Sequence, residues 1–97
     1  MQVAIRKSTR AGKKWMATMN DKTVHFGAMG YDDFITSKDE KRKTSYLARH
    51  RTNEDWTLSG VETAGFWARW LLWNKPSLSA SIADVNKRFK SLSVSMR

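Results

Sequence analysis

The chain has 97 residues, with eighteen Lys or Arg against nine Asp or Glu, a formal net charge of +9 and no cysteine. That length excludes a second domain, because compact domains run about 50–250 residues, and the missing cysteines exclude a disulfide framework. A 40% hydrophobic content that includes five Trp, four Phe and two Tyr excludes a disordered segment and predicts one folded domain over 1–97. A domain this small has little surplus stability, so part of it is expected to come from neighbours.

The N-terminus, MQVAIRKSTR, has neither the apolar core nor the small-residue cleavage site of a secretory signal. The longest apolar run, Ala64 to Trp73, contains Arg69 and is far short of the ~20 residues that cross a bilayer. The expectation is a chain that is neither secreted by signal peptide nor membrane-spanning.

Residues 1–30 read as strands. Val3-Ala4-Ile5, Lys14 to Met19 and Thr23 to Phe26 are separated by the turn residues Ser8 to Gly12 and Asn20-Asp21, which predicts a three-stranded antiparallel meander. Gly27, Gly30 and the step Tyr31-Asp32-Asp33 then lead out of the sheet. Residues 38–90 read as about three helices, making the fold class α+β. Ser37-Lys38-Asp39-Glu40 matches a capping box that opens a helix over about 39–50, with Tyr46, Leu47 and His50 as its buried stripe. Thr63 to Asn74 is apolar almost all round; at α-helical spacing Phe66, Trp70 and Trp73 share one side and Trp67 and Leu71 an adjacent strip. Pro76 stops that helix, and Ser77 caps a last one to about Lys90, striped by Ile82, Val85 and Phe89. Residues 91–97 read as a frayed tail.

Catalysis fails on inventory. His25 and His50 are the only histidines, and no HxxxH or HxxE spacing supports a metal. Asp32-Asp33 reads as turn and cap residues, no GxSxG elbow is present, and the five glycines form no phosphate-cradling fingerprint. The expectation is a non-enzyme with no catalytic residue, no metal and no cofactor.

What remains is partner binding. A charge of +9 favours polyanions. On the helix over 39–50, Lys41, Arg42, Lys43, Arg49 and Arg51 form a basic surface, and Arg42 and Arg49 stand two turns apart with Ser45 between, suited to a row of phosphates or carboxylates. Trp56, Phe66, Trp67, Trp70 and Trp73 are either core or aromatic anchors for a partner, since Trp and Arg dominate interface hot spots and aromatic rings also stack on unpaired bases. A helix lying on a membrane surface is a third option, which the wide apolar face and sparse flanking charges do not favour.

From His25 onward the stretches HFGAMGYDDF, KDEKRKTSYLARH, NEDW and TAGFWARWLLWNKPSLSASIADVNKRF resemble a family of small basic virion-associated proteins of nucleocytoplasmic large DNA viruses. The resemblance spans roughly 23–90, is carried most strongly by GFWARWLLWNKP with Tyr46, Arg49, His50 and Trp56, and leaves out the first 22 residues. It brings no catalytic residues. It implies a product found in the virion, and in the host cytoplasm during assembly: a minor capsid or cement protein contacting other capsid proteins or, alternatively, a protein bound without sequence specificity to the viral DNA.

Overall fold

The computed structural model describes residues 1–97. Three strands form as the alternation requires: β1 (Gln2–Lys7), β2 (Lys13–Met19) and β3 (Lys22–Ala28). Val3 and Ile5 on β1, Ala17 and Met19 on β2, and Val24 and Phe26 on β3 point to one side and are almost wholly buried, which is the period-two signature of a half-covered sheet. Register follows, with Val3 opposite Met19, Ile5 opposite Ala17 and Trp15 opposite Phe26. Between β2 and β3, Asn20 takes a left-handed φ of 47°, as a two-residue hairpin turn demands.

The tail is the first correction. Residues 93–96 are a strand, β4 (Ser93–Met96), which lies parallel to β1 and completes a sheet of order β3-β2-β1-β4. Leu92 and Val94 are buried in the main core. The Asn86 amide clamps the strand, accepting from Val94 N at 2.7 Å and donating to Val94 O at 2.9 Å. A four-residue strand in a serine-rich segment has too few turns of alternation to stand out, and only a partner edge makes it form.

Two short helices follow the meander. Asp33 caps α1 (Phe34–Ser37) in a reciprocal box, its carboxylate accepting from Thr36 N at 3.0 Å and its own N–H donating to Thr36 Oγ1 at 3.1 Å. The cap of α2 (Glu40–His50) is Asp39, which accepts from the N–H groups of Lys41 and Arg42. Ser37, expected to cap this helix, instead ends α1, because Lys38 turns left-handed at φ 53° and separates the two. Tyr46 is the buried residue of α2, while Leu47 and His50 are only half-buried.

The apolar segment is not one α-helix. α3 (Ala64–Trp67), capped by Thr63, runs directly into a π-helical turn over Ala68–Leu72, closed by Trp73 N donating to Ala68 O at 3.1 Å. α4 (Leu78–Arg88) starts at the Ser77 cap. α3, the π turn and α4 cover the apolar side of the sheet, with Phe66, Trp67, Leu71 and Val85 at 0% exposure. The other side, bearing Arg6, Met16, Thr18 and His25, is half-buried to exposed.

Candidate functional site

The five-residue step of the π turn decides where Trp73 goes. An α-helical step would stand Trp73 above Arg69 and Trp70, whereas the bond back to Ala68 shifts it by one residue around the axis. Phe66 and Trp70 therefore pack together against Phe89, at 5.3 and 5.4 Å between ring centroids. Trp73 leaves that side and meets α2, its ring lying 4.4 Å from Tyr46 and within 7° of parallel. His50 stacks on Tyr46 as well, at 4.2 Å and 24°. Two rings at such distances cannot share one face of Tyr46, so the phenol is the middle layer of a three-ring stack. Burial in that stack, reinforced by the Glu54 carboxylate, pushes the Tyr46 hydroxyl up to about 12.

Beside the stack, α2, the end of the π turn and the loop after β3 enclose a cleft of about 370 Å³. It shares Tyr31, Asp32, Arg49 and Trp73 with a second hollow of about 400 Å³ along Lys41, Arg42 and Ser45. Lys14 fixes the loop: its ammonium donates to Tyr31 O at 2.6 Å and to the buried Asp33 carboxylate at 2.8 Å. Tyr31 is thus held by its backbone, yet the residue is 74% exposed. The lining carries four cations, Lys14, Lys41, Arg42 and Arg49, against two carboxylates, Asp32 and Asp33. Both carboxylates are answered, Asp33 by Lys14 and Asp32 by Arg42, which also lies 3.9 Å from Asp39. Lys41 and Arg49 have no ion pair and leave the cleft net positive.

The basic residues of α2 accordingly divide. Lys41, Arg42 and Arg49 come together on the cleft; Arg51 is the exposed C-cap and lies outside it. Lys43 is turned inward, its ammonium donating to Asn74 O at 2.7 Å and sitting 4.9 Å above the Phe34 ring. Burial, against the pull of Glu40, lowers its pKa. It ties α2 to the body of the domain and is not part of a free basic surface, because the i, i+3 offset to the buried Tyr46 places it towards the packed side of the helix.

The aromatic residues divide too. Phe66, Trp67 and Trp70 are core, and the indole N–H groups are satisfied internally: Trp67 donates to Val61 O at 2.7 Å and Trp70 to Trp56 O at 2.9 Å. Half-buried Trp56 donates to Glu54 at 2.8 Å. The Arg69 guanidinium lies 4.2 Å from the Trp70 ring and 5.5 Å from Trp56, and donates to Trp73 O; burial and the nearby Arg88 lower its pKa. Trp73 is the one tryptophan of the five on the cleft. Sequence reading missed Tyr31 and Lys14 as site residues. The glycine-flanked Tyr31 was legible only as a turn, and Lys14 only as one strand residue among many.

Elsewhere, Ser8 Oγ lies 2.7 Å from His25 Nδ1, but no carboxylate backs that histidine. His50 Nδ1 lies 3.2 Å from Glu54. No three His, Cys, Asp or Glu side chains come together as a metal site, and no helix is long and apolar enough to cross a membrane.

The fold and cleft define a small α+β protein with a basic groove partly lined by aromatic residues. Residues 3–50 match the model of a family described as a family of unknown function (DUF5754). That match runs from β1 to the end of α2, so it takes in the N-terminal strands left out of the viral resemblance and stops before the tryptophan segment. No match was found among curated proteins, and none among solved structures.

Proposed function

We propose that this chain is a non-enzymatic nucleic-acid-binding protein that grips phosphates without reading base sequence, with a viral genome as the polyanion suggested by the resemblance. The observation that carries this reading is that Lys41, Arg49 and Arg51 are exposed on one short helix with no carboxylate partner, while Trp67 and Trp70 are spent on the core. Unpaired cations gain most from phosphate, because each displaces a condensed counterion, and phosphate contacts carry no sequence information.

The test is binding of the full chain to random duplex DNA across a salt series. Three phosphate contacts predict a log–log slope of about −2 to −3, a loss of some tens-fold between about 50 and 200 mM salt. The double variant Lys41→Glu, Arg49→Glu should flatten that slope. Binding that ignores salt, or no binding at low salt, overturns the reading.

A minor capsid or cement role is the second reading, supported by a different observation. Met29 is 59% exposed beside Tyr31, and the outer edge of β3 pairs with no further strand, giving a capsid neighbour both apolar area and backbone groups to meet. It predicts that Met29→Ser lowers virion incorporation more than the charge reversals on α2 do.

A further inference from the structure

We propose that the cleft between α2 and the loop after β3 seats an unpaired nucleobase, so that the chain prefers single-stranded to duplex nucleic acid; this rests on the phosphate-binding reading above. Size permits it: hollows of about 370 and 400 Å³ fall within the range of small-ligand sites, about 300–1,000 Å³. The Trp73 ring lines both hollows and is held rigid by its stack with Tyr46 and His50. A ring fixed in place stacks on a base with little loss of side-chain freedom, and every base offers a π face.

Tyr31 supplies the second surface. Its backbone is committed, donating to Ala28 O and accepting from Lys14, but its phenol has no hydrogen bond and its ring lies open to water. Nothing in the fold uses that ring. Flanking the rings, Arg49 and Lys41 are placed to meet phosphates on the same strand, and the one carboxylate pair in the lining is already neutralised by Arg42 and Lys14. In a duplex the bases are stacked on one another and cannot enter, so duplex binding would use the cations and leave the aromatic surfaces idle. The cleft therefore distinguishes the two forms.

The experiment compares three labelled probes with the full chain at one salt concentration: an oligothymidylate of about a dozen nucleotides, within the site sizes of single-strand binders, an abasic strand of equal length, and a duplex of equal length. The oligothymidylate should bind about tenfold or more tighter than the abasic strand, a stacking contribution of ordinary size. Tyr31→Ala should cut that difference severalfold, while Tyr31→Phe should retain it. Arg49→Glu should weaken all three. Equal binding of the thymidylate and abasic strands, or a difference that Tyr31→Ala leaves undiminished, overturns the stacking proposal while leaving phosphate binding intact. Failure of all three probes to bind overturns both.

Discussion

Lys43 and Arg49 sit on the same helix, and their surroundings separate their roles. Lys43 gives its ammonium to Asn74 O and the Phe34 ring, so Lys43→Ala should lower stability by about 1–2 kcal/mol in a denaturant titration and leave the salt slope of DNA binding unaltered. Arg49→Ala should do the opposite, reducing the slope by about one while stability moves by less than about 0.5 kcal/mol. Gly60 is constrained by packing: a Cβ there would stand 1.9 Å from the Asp55 carbonyl oxygen, a backbone atom that cannot step aside. Gly60→Ala should therefore cost more than about 2 kcal/mol and show as a lowered Tm. Asp55 holds the same loop through Ser59 and Thr57, whose hydrogen bonds keep its carboxyl below the usual aspartate range.

At the scale of elements, α2 is docked by the Trp73–Tyr46–His50 stack as well as by Lys43. Tyr46 has an ordinary value of 10.0, raised in the fold to about 12. The fold binds the phenolic proton more tightly than the unfolded chain does, so its contribution is full below about pH 10 and is lost as pH rises towards about 12. Stability should fall by roughly 1 kcal/mol per pH unit across that window, and Tyr46→Phe, measured by the same pH-dependent melts, should lack this component. The strand β4 depends on Asn86, which satisfies both Val94 backbone groups. Asn86→Ala should cost about 1–3 kcal/mol by leaving those buried groups unpaired, with faster amide exchange in β1 and β4 as the readout.

For the whole molecule, layer order determines what is free to bind. Helices cover one side of the sheet, the large aromatic residues are consumed between the layers, and α2 is left at the margin with one face docked and the other in water. An overall +9 charge then has a local outlet, because two cleft carboxylates are paired and Lys41 and Arg49 are not. Capture of nucleic acid by this chain should accordingly weaken with salt as a whole-molecule property, yet respond to substitutions only on the marginal face of α2 and its cleft.

Strands β1 to β3, the helices starting near Asp39 and Ser77, and the α+β class were legible in the sequence, because alternation, turn residues and caps are local signals whose physics acts over a few residues. Beyond that reach lay β4, which exists only because β1 offers an edge, and the π turn, which breaks the α period assumed for the tryptophan segment and sends Trp73 away from Phe66 and Trp70. The split of the basic helix into a docking lysine and free cations was equally hidden, since Lys41 and Lys43 are chemically the same and differ only in what packs against them. Tyr31 became a site residue only when Lys14, from a different strand, pinned its loop beside α2. Local pattern determined the elements of this protein; contacts between residues far apart in the chain decided which of its charges and rings remain available to a partner.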